Sequence, residues 1–110
     1  MPESSERAAL TEAVFYILLS LHEPMHGYAI MQNIDKLTGG RVTLGPGTLY
    51  GAINALVGKR WIVAVSAEKD SRKKEYVITN LGRSVFAGEL VRLKELIRNG
   101  EDRVKGAGGE

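Results

Sequence analysis

Cysteine is absent from the 110-residue chain, which excludes disulfides and thiolate metal sites. Long apolar runs are also missing. The longest, Ala13 to Leu21, covers nine residues including Ser20, well short of the ~20 that a membrane-crossing helix needs. The first residues, Met1 to Arg7, are polar and carry Glu3 and Glu6, unlike the basic start of a secretory signal. A cytoplasmic protein with no membrane partner is therefore expected. Proline occurs only three times, so breaks in helical pattern stand out where they fall.

A strong excess of charge of one sign is lacking too, since the formal net charge is only +2. Its distribution is uneven. Between Arg41 and Lys74 lie seven basic residues (Arg41, Lys59, Arg60, Lys69, Arg72, Lys73, Lys74) against Glu68 and Asp70, which makes that segment +5 and the remainder −3. Positive charge focused in mid-chain suits a phosphate-binding face.

What is present is ordinary for one globular domain: 44% hydrophobic and 25% charged residues. Thr11 can cap a first helix to about Leu21, with Val14, Ile17, Leu18 and Leu21 at core spacing. Phe15, Tyr16 and Leu19 make its other side apolar as well. Such a helix needs cover on two sides, expected from a second subunit or, alternatively, from the chain's own last helix. His22-Glu23-Pro24 ends it. A second helix, about Gly27 to Thr38, places Ile30, Ile34 and Leu37 on one stripe and stops at Gly39-Gly40.

Arg41 to Leu44 reads as a short extended piece. Gly45-Pro46-Gly47-Thr48 opens a third helix reaching about Gly58, with Leu49, Ile53 and Leu56 inward and small or hydrogen-bonding residues elsewhere. Trp61 to Ala67 and Glu75 to Thr79 read as two strands around a charged turn, Glu68 to Lys74. Thr79 then caps a last helix bearing Leu81, Val85, Phe86, Leu90, Leu93, Leu96 and Ile97, which Asn99-Gly100 is expected to stop. The bounds expected are a flexible start over 1–9, a folded domain over 10–80, a helix over 81–99 and a flexible tail over 100–110.

Three helices, a basic β-hairpin and a closing helix form the order of a winged helix-turn-helix, a mainly α fold with a small hairpin. In helix-turn-helix proteins the second helix of the motif enters the major groove N-terminus first. Here that is the helix opening at Gly47, where the positive dipole end, Thr48 and Tyr50 can meet phosphate oxygens. Arg72, Lys73 and Lys74 at the hairpin suit the adjacent backbone or minor groove.

Gly27-Tyr28, then Pro46, Thr48, Leu49 and Tyr50, and finally Tyr76, Thr79 and Gly82 occur in that order. Together with the Leu10–Leu21 helix they resemble the PadR family of bacterial regulators from about Leu10 to Ile97. The resemblance implies a winged-helix DNA-binding domain dimerised by its C-terminal helix, often a repressor released by small aromatic or drug-like effectors. It implies DNA contacts from Thr48, Tyr50 and Asn54, with Tyr28 nearby and Arg72 to Lys74 in the wing. Phe15, Tyr16, Leu19, Leu90, Leu93 and Ile97 are the candidates for a dimer or effector cavity. Arg60 departs from the pattern, because the family commonly has glycine before the residue that leads into the wing. A left-handed backbone there would strain arginine.

Other chemistries have little footing. His22 and His26 are four apart, but Pro24 interrupts any shared helix face, so no metal site is expected. Gly45-x-Gly47 lacks the lysine of a phosphate loop, and no nucleophile stands with a base and an acid. Neither a cofactor nor enzymatic activity is expected. The leading expectation is a homodimeric regulator on double-stranded DNA with a palindromic operator. The alternatives are a winged-helix module that docks proteins and a small-molecule-binding protein built around its dimer cavity.

Overall fold

The computed structural model describes residues 9–66 and 73–108. All but the last residue of the expected flexible start over 1–9, and most of the charged turn, including Arg72, lie outside the described residues. The elements run α1 (Glu12–Ser20), β1 (Met25–His26), α2 (Gly27–Thr38), α3 (Pro46–Gly58), β2 (Ile62–Ala64), β3 (Glu75–Ile78) and α4 (Asn80–Gly108). This is the mainly α winged-helix arrangement that the element order predicts.

The Thr11 hydroxyl accepts from the Val14 amide at 3.1 Å and caps α1 as expected. Ile17, Leu18 and Leu21 are fully buried against Ile30 and Ile34 of α2 and Leu49 and Ile53 of α3. A polar tie joins α1 to α2 inside this core: Asn33 Nδ2 donates to Ser20 Oγ at 2.9 Å, and Ser20 donates to the Tyr16 carbonyl at 2.8 Å. Burying the Ser20 hydroxyl costs little because it is used both ways. Leu37, placed on the core stripe by its spacing, is 52% exposed, since it sits in the last turn of α2 beyond the packed region. Gly39, at φ 60°, takes the left-handed position that closes α2.

The sheet holds three strands in the order β1-β3-β2, all antiparallel. Val63 pairs with Val77 and Ala64 with Tyr76 across the hairpin, while Met25 pairs with Tyr76 and His26 with Glu75. β1 corrects the expectation that Arg41 to Leu44 would be the extended piece. Those residues form no strand, and two residues after Pro24 take the edge of β3 instead. A two-residue strand has no alternation to read, so its pairing is set by the fold. β2 is likewise shorter than expected, with Val65 donating to the Glu75 carbonyl at 2.9 Å and Ser66 Oγ accepting from the Glu75 amide at 3.1 Å.

α3 passes to the wing through a paired left-handed closure. The Arg60 amide bonds to the Val57 carbonyl at 2.9 Å and the Trp61 amide to the Leu56 carbonyl at 3.1 Å, with Arg60 at φ 64°. Arg60 thus takes the left-handed backbone that glycine at this position in the family would allow. Trp61 and Leu56 are both buried beneath this turn. Thr79 locks the turn from the other side. Its hydroxyl lies 2.7 Å from the Arg60 carbonyl and accepts from the Gly82 amide at 3.0 Å, so it also caps α4. A Cβ on Gly82 would fall 2.1 Å from the Trp61 carbonyl oxygen and 2.7 Å from Ile78 Cγ1. Only glycine lets α4 start so close to the wing's first strand.

α4 departs from expectation most. It does not stop at Asn99-Gly100 but continues to Gly108, which removes most of the expected flexible tail. One glycine within a helix costs about 1 kcal/mol, and Glu101, Arg103 and Lys105 beyond it are good helix formers. Glu101 and Lys105 stand at the favourable i, i+4 spacing, and Lys105 also suits the negative end of the helix. Near its start α4 covers α1 within the same chain. Phe86 lies 4.8 Å from Phe15, ring to ring, and His22 packs edge-on to Phe86 at 5.0 Å. For Phe15 the last helix supplies cover, as the second of the two expected arrangements has it, and the ring stays half-buried. Glu89, buried, accepts from Arg92 through both oxygens at 2.8 and 2.7 Å and from the Leu10 amide at 3.3 Å. These bonds hold its carboxyl below the usual range, the Arg92 bond most of all.

Candidate nucleic-acid interface

α3 buries one face and exposes the other. Leu49, Ile53 and Leu56 point into the core, as their spacing predicts, while Gly47, Thr48, Gly51, Asn54, Ala55 and Gly58 face solvent. Pro46 occupies the first turn, where its missing N–H is no loss. The outward face bears no charge. It offers a hydroxyl at Thr48, an amide at Asn54 and a methyl at Ala55, the side-chain types that pair with base edges and thymine methyls. A Cβ added at Gly47, Gly51 or Gly58 would meet nothing within 4 Å. Packing within the chain therefore does not ask for glycine at these helical positions, although each one weakens the helix.

Tyr50 behaves differently from its neighbours. It is half-buried, and its hydroxyl oxygen lies 2.4 Å from where a Cβ on Gly27 would be. Gly27 is thus the seat of the Tyr50 ring, which ties the start of α2 to α3. Tyr76 is buried nearby, and burial, then the proximity of Tyr50, pushes its phenol above the ordinary range. Tyr28, next to Gly27, is 60% exposed at the first turn of α2.

The basic residues divide by position. Lys73 is exposed and Lys74 half-buried at the start of β3, on the wing, while Arg72 lies outside the described residues. Lys59 follows α3, its ammonium 4.6 Å from the Trp61 ring centroid. Arg41 does not join them, because it forms a two-point ion pair with Glu12 on α1. This pairing raises the Arg41 pKa and lowers that of Glu12. Counting charges along the chain could not show it, because the partner is 29 residues away.

The histidines go separate ways. His26 Nδ1 accepts from the Ala29 amide at 3.2 Å and caps α2, and His22 Nδ1 lies 2.9 Å from the Leu18 carbonyl. The candidate cavity residues fall in two groups. Phe15, Tyr16 and Leu19 are half-buried on α1, with Phe15 and Tyr16 in edge contact at 5.5 Å. Leu90, Leu93 and Ile97 follow one face of α4, and Leu90 and Ile97 are 37% and 56% exposed. Sequence reasoning missed Glu89, whose acidic side chain in an apolar helix carries no periodic signal. Gly51, one turn after Gly47, is exposed on the outward side of α3, as expected. No helix among the described residues is long and apolar enough to cross a membrane.

Comparison with known proteins agrees with this geometry. A 37.1 kDa protein of a Streptomyces fradiae transposon is 35% identical over 79 residues, which cover 71% of this chain. The chain spans only about a fifth of that relative's length, 22%. A PadR-like transcription factor from Bacteroides fragilis superposes with a TM-score of 0.67 at 27% identity, covering 81% of this chain and 86% of the other. A transcriptional regulator from Clostridium thermocellum shares the fold with a TM-score of 0.65 at 23% identity, covering 84% and 90%. The sequence pattern of one family matches residues 15–88. The chain belongs to the PadR-like family of transcriptional regulators, proteins that regulate transcription and are not enzymes.

Proposed function

We propose that this regulator binds a palindromic operator as a homodimer, represses transcription from it, and is released by a small aromatic or drug-like effector. DNA recognition rests on one observation above all: α3 turns an uncharged face of Gly47, Thr48, Gly51, Asn54 and Ala55 to solvent at the recognition position of a winged helix. The bare helix surface can approach base edges closely. Thr48 and the free amides of the first turn meet a phosphate, and the Asn54 amide matches the N6 and N7 edge of adenine. Arg72, Lys73 and Lys74 supply sequence-independent attraction to the backbone from the wing, and Tyr28 flanks α3. Tyr50 acts through Gly27, fixing the angle of α3 more than touching DNA itself.

The dimer is supported by the apolar residues that α4 leaves exposed, Leu90 and Ile97 among them. Two copies would place their recognition helices on half-sites about one helical turn apart. Phe15, Tyr16 and Leu19 beside α4 offer aromatic and aliphatic surface for a planar effector. A repressor role follows if the operator overlaps the promoter.

Fluorescence anisotropy with DNA from upstream of the protein's own coding region tests the reading. The expected dissociation constant is nanomolar and rises steeply with salt. Affinity equal to that for random DNA would overturn it and favour a protein-docking module, in which alanine at Arg72, Lys73 and Lys74 changes nothing.

A further inference from the structure

One side chain spans the junction where α3, the wing and α4 meet. Thr79 precedes α4, and its hydroxyl accepts from the Gly82 amide at 3.0 Å. The same hydroxyl donates to the Arg60 carbonyl at 2.7 Å, while the Thr79 amide donates to the Trp61 carbonyl at 2.9 Å. Arg60 and Trp61 are in turn tied back to the last turn of α3 through the Val57 and Leu56 carbonyls. The path from α4 to α3 thus runs through backbone bonds and a single hydroxyl, with no long side chain between. Another path is ring packing, Phe86 on Phe15, which tolerates small rotations that a directional hydrogen bond does not. Capping α4 asks only for an acceptor at position 79. The proton that Thr79 gives to Arg60 is surplus to capping, and aspartate, an equally good cap, could not give it.

We infer that Thr79 is a positioning residue for operator recognition: its hydroxyl, bridging the Arg60 carbonyl and the Gly82 amide, fixes the direction of α3 relative to α4 and thereby the half-site spacing the protein accepts. The inference rests on the homodimer and palindromic operator proposed above and adds what relates the one to the other. In a dimer held through α4, the two recognition helices are set apart by two copies of this junction. Half-sites lie about one helical turn apart, and a base pair added between them turns one by about 34° around the duplex and moves it by about 3.4 Å. A junction closed by the Thr79–Arg60 bond resists that shift, and one without it yields. A half-site alone asks nothing of the junction, because a single α3 docks together with its own wing.

Fluorescence anisotropy of the full chain tests this with Thr79→Ser, Thr79→Asp and Thr79→Val beside the wild type. The probes are three duplexes: the palindrome upstream of the protein's own coding region, the same with one half scrambled, and the same with one base pair added at its centre. Thr79→Ser keeps both bonds and matches the wild type. Thr79→Asp keeps the cap and loses the donated bond. Its preference for the intact palindrome over each of the other duplexes falls about tenfold. Repulsion between the new carboxylate and DNA weakens all three alike and cancels in these ratios. Thr79→Val loses the cap as well and gives the same ratios at a lower thermal midpoint, so either variant decides alone. Wild-type ratios in these variants, or a wild type indifferent to the added base pair, overturn the inference and leave operator binding standing. A wild type that binds the intact and half-scrambled duplexes equally overturns the palindromic reading itself.

Discussion

At Arg60 the backbone turns left-handed, and the side chain there is not glycine. A Cβ in that region costs about 1–2 kcal/mol, and the fold bears it because the turn satisfies the Arg60 and Trp61 amides and buries Trp61. Arg60→Gly removes the strain but gives the unfolded chain more freedom, so the net gain expected is about 1 kcal/mol or slightly less. Thermal unfolding would show this as a midpoint raised by a few degrees, and Arg60→Val would lower it. An unchanged or lower midpoint for Arg60→Gly would mean that the strain is absent. This position was legible in the sequence, through the family's preference for glycine there. Leu37 was not: periodicity put it on the core side, but the core ends one turn earlier. Tyr50 was legible only in part, because nothing local shows that its ring rests on Gly27, 23 positions back.

Among the elements, α3 shows a conflict between stability and surface. Its glycines weaken the helix, yet nothing among the described residues occupies the space beside Gly47 or Gly51. The DNA surface proposed for α3 would account for them. Gly51→Ala should therefore stabilise the protein by roughly 0.5–1 kcal/mol while weakening DNA binding several-fold, as a methyl holds the helix away from the groove. Chemical denaturation and anisotropy on the same sample would check both signs. A variant that gains stability and keeps its full affinity would show that α3 does not approach DNA closely at Gly51. The helices and hairpin were readable because they are long or strongly periodic, or because Pro24, Gly39 and Gly40 punctuate them. β1 was not readable, being two residues whose partner lies in β3. The end of α4 was misread because Asn99-Gly100 is a common stop signal. A stop signal is only a modest local cost, and the surrounding charged residues favour helix enough to outweigh it.

Across the whole molecule, a small core formed by α1, α2, α3 and the sheet holds two working surfaces apart. One is the uncharged face of α3 with the basic wing beside it. The other is the exposed apolar side of α4. Net charge understates this arrangement. The excess between Arg41 and Lys74 is real in the sequence, but Arg41 pairs with Glu12, so the positive charge next to α3 left unpaired among the described residues is that of Lys59 and Arg60, with the wing residues beyond them. Electrostatics of this kind gives affinity without sequence preference, and preference is left to the side chains of α3. Asn54 is the one among them whose amide sets a separate donor and acceptor side by side against a base. The most direct measurement is the affinity of Asn54→Ala for operator DNA beside its affinity for random DNA. A loss of about 1–3 kcal/mol on the operator, with random DNA bound as before, is the expected result; equal affinity of variant and wild type for the operator would contradict recognition through α3.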